Sequence, residues 1–345
     1  MNVKTVYTEI TNQCNLNCRT CYNRSGLNHE VKEISKAQLE MILNLFLPFG
    51  LSRFLLSGGE PTLHSEFEQI LDLIDKYPQI SFGIVTNGTN HNPKLIEYLN
   101  TRPNFTLQIS LDGSNEEQNS KTRGPGNFQK ALEFAKKVQR NPSNPLLKMV
   151  VSQSNYTDIE DFYKLAVSLH FTPEIAFIFR SGNGLINWEE KALSPQQKIK
   201  ALKLVDTLNK KYSTNALLPV CTSTCPFSKG SSNLSICIKT DGSIQPCQML
   251  YNEKFTLGNV FSFDLNFFET QLQHVVETAQ KRLLLDYGCK TCIFGGNCGK
   301  GCMGTAVQLH DDPLTSDGDC EFRKLQFIGY RMQNVIHQAM KGKTL

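Results

Sequence analysis

Two adjoining stretches near the amino terminus indicate the fold and its chemistry, Thr5-Val-Tyr-Thr-Glu-Ile-Thr11 and Cys14-Asn-Leu-Asn-Cys18-Arg-Thr-Cys21. The first is a strand-like run, and the second spaces three cysteines as C-x3-C-x2-C, with no further cysteine before Cys221. A structural zinc ion or a closed iron–sulfur cluster usually takes four protein ligands. Three thiolates in one short loop can instead hold a [4Fe–4S] cluster and leave one iron open to a ligand that is not protein. The loop therefore predicts a reactive centre at the end of the first strand.

The residues up to about 213 alternate strand-like and helix-like segments. The strand candidates are Thr5–Thr11, Arg53–Ser57, Ile80–Thr86, Phe105–Leu111, Leu146–Ser152 and Ile175–Phe179. The helix candidates between them are Ala37–Phe49, Phe67–Tyr77, Pro93–Leu99, Phe128–Val138, Asp158–Leu169 and Ser194–Tyr212. Strict β-then-α alternation predicts an α/β fold with a parallel sheet and helices outside it. Because six units are fewer than the eight of a closed TIM barrel, we expect an open, partial (β/α)6 barrel, with catalytic groups at the carboxyl ends of its strands.

Distinctive motifs follow the strands at those ends. Gly58-Gly59-Glu60-Pro61 follows the second strand, Thr86-Asn87-Gly88 follows the third, and Ser110-Leu111-Asp112-Gly113 ends the fourth. The carboxyl ends of parallel strands meet at one edge of a sheet. We therefore expect these motifs to lie beside the cysteine loop, at one rim of the barrel.

The pattern changes after about residue 213, where nine cysteines occur from Cys221 to Cys320. The segment Ile236–Gln245 predicts a hairpin that turns at Asp241-Gly242. The rest of this region looks too short of regular elements to form a large core, so we expect cofactors to stabilise it. The predicted domains are residues 1–213 and residues 214–345, with a boundary near 213–220 and a carboxyl-terminal helix in the second domain.

Composition limits the compartment and the partners. The 345 residues include twelve cysteines, and the amino terminus lacks the basic and apolar regions of a signal peptide. Such cysteine usage without an export signal indicates metal or redox chemistry in a reducing compartment, so we expect a cytoplasmic protein. The apolar runs are too short to span a bilayer. There is no Lys/Arg stripe with interleaved aromatic residues, so we expect neither a membrane nor a nucleic acid as partner.

The cysteine loop, followed directly by Tyr22, resembles the signature of radical S-adenosylmethionine (radical SAM) enzymes. In that family the open iron is chelated by the amino and carboxylate groups of the methionine moiety of SAM. An electron from the cluster then cleaves the sulfonium, which gives methionine and a 5′-deoxyadenosyl radical that abstracts hydrogen. The resemblance implies that Cys14, Cys18 and Cys21 hold this cluster. The alternative interpretation of the three cysteines is a zinc knuckle.

The rim motifs extend the resemblance, since Gly58-Gly59-Glu60-Pro61 matches the family's GGEP motif. Glycines let the backbone approach a ligand closely, and the resemblance makes Glu60 an acceptor for the ammonium group of SAM. Arg123 can pair with the methionine carboxylate as a fork-shaped donor. The residues implied to bind SAM are Tyr22, Gly58, Gly59, Glu60, Thr86, Ser110 and Arg123. Ordinary strand-end turns and a surface arginine are the alternatives, and His64 is expected only to cap or decorate a helix start.

The carboxyl-terminal cysteines resemble the SPASM extension of radical SAM enzymes, which carries two auxiliary [4Fe–4S] clusters. The resemblance implies that one auxiliary cluster is held by Cys289, Cys292, Cys298 and Cys320. It implies that the other is held by Cys247, Cys302 and two upstream cysteines. One cysteine is then spare. We favour Cys221 and Cys225 as the ligands, with Cys237 as the substitute, because a buried structural cysteine is common on a hairpin. A zinc ribbon is the alternative.

The resemblance implies an enzyme that modifies a ribosomally made peptide or a small protein, by oxidation or by a thioether or carbon–carbon crosslink. It implies three [4Fe–4S] clusters, SAM and an external electron donor of the flavodoxin or ferredoxin type. Sulfatase-maturing relatives typically carry an aspartate base where this chain has Gln248, which weakens that interpretation. Also open are a peptide epimerase, dehydrogenation of a carbohydrate or small molecule, and a non-enzymatic iron–sulfur carrier or zinc-binding module.

Overall fold

A computed structural model of the chain describes residues 2–26, 30–139, 141–216, 224–284, 287–295 and 298–329. Six strands pair in parallel and in chain order. They are β1 (Val3–Thr11), β2 (Arg53–Gly58), β3 (Ser81–Thr86), β4 (Phe105–Ser110), β5 (Leu146–Val151) and β6 (Thr172–Phe177). The predicted α/β fold with a mostly parallel sheet is confirmed.

The sixth strand begins earlier than the sequence predicts, at Thr172 rather than Ile175, and ends at Phe177 rather than Phe179. Pro173 argues against a strand at this position, because proline cannot donate a hydrogen bond to a sheet. The strand order places β6 at an edge of the sheet, with β5 as its only neighbour among the described strands. Edge strands tolerate proline, so the residue does not break β6.

Helices occupy the connections and the carboxyl-terminal region. They are α1 (Lys36–Phe46), α2 (Phe67–Lys76), α3 (Pro93–Thr101), α4 (Glu116–Arg123), α5 (Phe128–Lys137), α6 (Ile159–Ser168), α7 (Gly182–Ile186), α8 (Trp188–Lys191), α9 (Pro195–Tyr212), α10 (Leu265–Lys281), α11 (Tyr287–Lys290) and α12 (Met303–His310). Residues 320–329 are also helical. The predicted helix Ala37–Phe49 ends as a 3-10 turn over Leu47–Phe49, which closes at Gly50 with a positive φ of 86°.

The cysteine-rich region extends the same sheet. The strand β7 (Leu234–Ile238) pairs in parallel with β1, and β8 (Ile244–Gln245) pairs antiparallel with β7. The predicted hairpin at Asp241-Gly242 is confirmed, and Gly242 adopts the positive φ of 81° that such a turn requires. The sheet order is therefore β6-β5-β4-β3-β2-β1-β7-β8.

The cysteine-rich region contains one long helix that the sequence analysis did not predict. Helix α10 has 17 residues and buries an apolar face that includes Phe268, Leu272 and Val275. The ring centroid of Phe268 lies 6.3 Å from that of Phe46 on α1, so this helix joins the core of the first six units. The division into residues 1–213 and 214–345 stays a prediction, because 217–223 lie outside the described residues.

No described helix is both long enough and apolar enough to cross a bilayer.

Candidate functional site

The cysteine loop lies directly after β1, against the turns that follow β2 and β3. The backbone N–H of Glu60 donates to the Gln13 carbonyl at 2.7 Å. The side-chain amide of Asn87 donates to the Asn15 Oδ1 at 2.9 Å. The structure therefore brings three of the motifs together at one rim, as expected for turns that follow neighbouring parallel strands.

The three thiols of the loop lie close to one another in a buried setting. Burial raises the pKa of Cys14 to about 11, and the nearby charges of Glu60 and Cys21 act in the same direction. Burial raises the pKa of Cys18 to about 12, and the charges of Cys21 and Cys14 add to this effect. Thiolates here need nearby positive charge, which the irons of a bound cluster supply. The donor set therefore fits the predicted cluster.

The short helix α7 and the residue that follows it contact the cysteine loop and hold its backbone. Asn183 donates its backbone N–H to the Cys21 carbonyl at 2.8 Å and its side-chain amide to the Cys18 carbonyl at 2.8 Å. Asn187 donates to the Arg19 carbonyl at 3.0 Å. Sequence reasoning missed both asparagines. The segment Gly182–Ile186 has only five residues, which is too short to show a helical period.

Glu60 is buried, with 1% of its surface exposed, and protein donors reach both of its carboxylate oxygens. Its Oε1 accepts from the hydroxyls of Thr86 at 2.6 Å and Thr62 at 2.7 Å. Its Oε2 accepts from the Asn87 backbone N–H at 2.7 Å. Burial raises the pKa of Glu60, and these hydrogen bonds oppose that rise. Thr86 therefore holds Glu60 in place.

The glycines before Glu60 are required by the neighbouring backbone. A Cβ on Gly59 would lie 2.1 Å from the Gln13 carbonyl oxygen, and one on Gly58 would lie 2.1 Å from that of Thr11. Gly58 also has a φ of +137°, which side chains disfavour. In this structure the backbone of Gly58 and Gly59 therefore lies close to the residues that begin the cysteine loop. Approach to SAM stays a prediction.

Gly59→Ala is expected to displace the loop and to lower stability by about 1–3 kcal/mol, because the new methyl group meets rigid backbone. Iron content after anaerobic reconstitution and the apparent melting temperature measure the two effects. Gly124→Ala is the control, because no atom lies within 4 Å of the position that its added methyl group would take, although its positive φ adds strain of its own. A Gly59→Ala variant that keeps its iron and its melting temperature would show that the loop accommodates the added methyl group without cost.

Arg123 is not a surface arginine, since only 10% of its side chain is exposed. Its Nε lies 3.1 Å from the Oδ2 of the fully buried Asp112. Burial alone lowers the pKa of Arg123, but the charges of Asp112 and then Cys18 raise it overall. The guanidinium therefore places a positive charge near the thiol of Cys18.

The remaining predicted SAM residues lie at different depths. Ser110 ends β4 half-buried, paired in register with Lys148 of β5. The hydroxyl of Tyr22 is buried and has no hydrogen-bond partner among the described residues. His64 donates from Nε2 to the Ile34 carbonyl at 2.9 Å, and its Nδ1 accepts from the Glu66 backbone N–H at the start of α2, as expected for a helix-start residue.

A polar cavity of about 610 Å³ opens beside Tyr22. It is also lined by Gln248, Tyr251 and a buried ion pair in which the Lys239 Nζ lies 2.6 Å from the Glu9 Oε1. This cavity can accept a polar group next to the cysteine loop. Sequence reasoning missed the pair, because Glu9 and Lys239 come together only through the pairing of β1 with β7.

Three predicted ligands of an auxiliary cluster come together at a second cavity, of about 580 Å³. Cys225, Cys247 and Cys302 all line it. Burial raises the pKa of Cys247 to about 12, with further contributions from Cys302 and Cys225. The fourth predicted ligand, Cys221, lies outside the described residues. The substitute Cys237 is fully buried on β7, where its electrostatic neighbours are Glu9, Lys239 and, more weakly, Cys247.

The predicted ligands of the other auxiliary cluster come from two segments of the chain. The N–H of Cys292 donates to the Cys289 carbonyl at 3.0 Å, and that of Cys298 donates to the Gly295 carbonyl at 3.3 Å. Cys320 begins the helical residues 320–329, with its Sγ 2.9 Å from the Ser316 Oγ. Within the described ranges, no three His, Cys, Asp or Glu side chains converge as the ligands of one metal ion do. A four-iron cluster uses wider spacing, because its thiolates bind different irons.

Comparison with known proteins relates this geometry to one family. Residues 8–166 match the Radical SAM superfamily. The mycofactocin maturase MftC of Mycolicibacterium smegmatis is 26% identical over 304 residues, which cover 86% of this chain and 76% of MftC. The subtilosin biosynthesis protein AlbA of Bacillus subtilis is 26% identical over 309 residues, covering 85% of this chain and 66% of AlbA.

Two solved structures share the fold. SuiB of Streptococcus suis bound to S-adenosylmethionine has a TM-score of 0.74 at 17% identity, over 91% of this chain and 76% of SuiB. The enzyme anSMEcpe with bound AdoMet has a TM-score of 0.74 at 20% identity, over 98% of this chain and 99% of that one.

Proposed function

We propose that the chain cleaves SAM reductively and abstracts hydrogen from a ribosomally made peptide or small protein. Its residues 8–166 match the Radical SAM superfamily, and the chain is accordingly an enzyme. The observation that carries the proposal is the convergence of Cys14, Cys18 and Cys21 beside the buried Glu60 at one rim of the barrel. A cluster bound there supplies the electron, and SAM supplies the radical. The protein supplies orientation and excludes water.

Two side chains are proposed to orient SAM. Glu60 accepts from its ammonium group, and Thr62, Thr86 and Asn87 fix the direction of the carboxylate. Arg123 faces the methionine carboxylate with the part of its guanidinium that Asp112 leaves exposed. Ser110 and Tyr22 complete the proposed set, with Ser110 as a donor to the ribose or carboxylate.

A peptide substrate is supported by the names of the relatives and by the polar cavity. MftC is a maturase, and SuiB has also been solved bound to the precursor peptide SuiA. The 610 Å³ cavity beside Tyr22 has room for a side chain next to the cysteine loop. We propose that a substrate side chain enters it. Gln248 lines this cavity and cannot act as a base. This disfavours the oxidation of a serine or cysteine in a sulfatase-type protein, and other oxidations or a crosslink are preferred.

We further propose three [4Fe–4S] clusters, served by an external flavodoxin or ferredoxin. Cys247→Ala is expected to lower the iron content from about twelve to about eight per chain, because four irons share each cluster. Cys237→Ala is expected to keep about twelve, since this fully buried cysteine has Glu9 and Lys239 as its strongest charged neighbours. Colorimetric iron and sulfide analysis measures both variants. Iron loss in Cys237→Ala would instead make Cys237 a ligand.

The function is tested with anaerobically reconstituted enzyme, SAM and dithionite. Methionine and 5′-deoxyadenosine are expected, and their absence would leave an electron carrier or a zinc-binding module. A short cysteine- or aromatic-rich peptide encoded beside the gene is then added. Mass spectrometry distinguishes loss of two hydrogens, the result expected for oxidation or a crosslink, from an unchanged mass, which would favour epimerisation.

A further inference from the structure

Arg282, directly after α10, is a cation buried in the cysteine-rich region. It is 1% exposed, and its guanidinium is held by backbone carbonyls. Nη1 donates to Pro313 and, at 2.9 Å, to Thr315. Nη2 donates to Lys300 at 3.1 Å and to Gly301 at 3.2 Å. Carbonyls fix the position of this charge but do not neutralise it.

No carboxylate lies within ion-pair distance of Arg282 among the described residues. The buried Asp317 is engaged elsewhere, since its Oδ1 lies 2.5 Å from the Arg323 Nη1 and its Oδ2 accepts from the Cys302 N–H at 2.9 Å. The Nε of Arg282 is buried and has no hydrogen-bond partner in the described part of the chain. Burying a charge costs several kcal/mol unless a counter-charge is present. The arrangement therefore calls for an anion near Arg282.

The groups beside Arg282 identify that anion. The anionic neighbours of Arg282 are Cys225, Asp317 and Cys302, and Asp317 is already paired with Arg323, a second buried cation. The two thiols are therefore the remaining source of negative charge. The carbonyls that Arg282 holds, at Lys300 and Gly301, immediately precede Cys302 in the chain. Both cysteines line the 580 Å³ cavity. A [4Fe–4S]²⁺ core on four thiolates has a net charge of −2, so a cluster here is the missing counter-charge.

We propose that Arg282 is a positioning residue that balances the charge of the auxiliary cluster at Cys225, Cys247 and Cys302 and raises its reduction potential. The inference rests on the auxiliary cluster of the proposed function. Adding one electron to such a cluster makes its net charge more negative. A buried cation nearby therefore favours the reduced form, because the low dielectric strengthens the attraction.

The test is a redox titration followed by electron paramagnetic resonance, in a full-length background with Cys14, Cys18 and Cys21 all changed to alanine. This background removes the signal of the SAM cluster and is expected to hold about eight irons. Arg282→Gln is expected to lower the reduction potential of one of the two remaining clusters by at least about 59 mV. At a fixed solution potential this shift is a tenfold change in the ratio of oxidised to reduced cluster.

Two controls separate charge from structure. Lys281→Gln removes the same charge from an exposed neighbour and is expected to shift neither potential. Arg282→Lys keeps the charge, so both reduction potentials are expected to stay close to those of the background protein. If Arg282→Gln loses iron, Arg282→Lys must hold all its iron at the original potential for the proposal to stand.

Three results would overturn the proposal. The first is an unshifted pair of potentials in Arg282→Gln with full iron content. The second is an equal loss of iron in Arg282→Gln and Arg282→Lys, which would make the role structural. The third is a background protein with four irons or fewer, which would remove the auxiliary cluster itself. Because iron is measured separately from the potential, this last failure is distinguishable from a failure of Arg282.

Discussion

Cys18→Ala is expected to reduce SAM cleavage to the background of protein-free controls and to remove about four irons per chain. In the proposed site three thiolates would each bind a different iron of the cluster, and no other cysteine of the chain precedes Cys221. The buried loop offers no replacement ligand at that position, because its backbone is already bonded to Asn183. Production of 5′-deoxyadenosine by anaerobic enzyme, measured by liquid chromatography, and iron analysis check the two effects.

The matched control is Thr20→Ala, which alters a residue of the same loop that carries no thiol. It is expected to keep about twelve irons and most of the cleavage rate. A Cys18→Ala variant that still forms 5′-deoxyadenosine at an unchanged rate would contradict the assignment of the loop. Loss of iron in both variants would show only that the loop tolerates no change.

Local patterns were sufficient to predict the six parallel strands and the rim of the sheet at which the motifs meet. Runs of apolar or β-branched residues mark strands such as Leu146–Val151, and glycine-containing turns after β2 and β3 mark their ends. The alternation with helices then requires parallel pairing, which collects the turns at one edge. The hairpin at Asp241-Gly242 was predictable for the same reason, since its turn residues are adjacent in sequence.

Helix α4 could not be predicted in this way, because its buried positions carry Asn119 and Thr122 instead of apolar residues. Asn119 accepts from the Asp112 backbone N–H at 2.9 Å, and Thr122 donates to the Asp112 carboxylate at 2.9 Å. Its inward face is therefore polar because it serves a buried carboxylate. A hydrophobic period does not detect such a helix.

Long-range pairing was equally hidden. The attachment of β7 to β1 joins segments that lie far apart in the sequence, and it creates the Glu9–Lys239 pair. The burial of Arg123 and Arg282 could not be predicted, because arginine is mostly exposed. It is visible only after α4 and the residue that follows α10 have packed, so the charges around the predicted clusters required the structure.

Asp112→Ala is expected to destabilise the protein by about 3–5 kcal/mol, because it leaves the buried Arg123 without its counter-charge. Asp112 is fully buried, and its Oδ1 also accepts from the Val150 backbone N–H at 2.9 Å. The variant therefore orphans a charge and a backbone donor together. Thermal unfolding of the anaerobic protein, followed by circular dichroism, is expected to show a clearly lower melting temperature.

Removing both charges separates these contributions. The double variant Asp112→Ala with Arg123→Met is expected to melt above Asp112→Ala alone, since no unpaired charge remains in the interior. The Val150 N–H stays unpaired in both proteins, so it cancels in the comparison. If the double variant loses as much stability as the two single variants added together, Arg123 and Asp112 act independently. The ion pair beside Cys18 would then have no energetic part in holding α4 against the sheet.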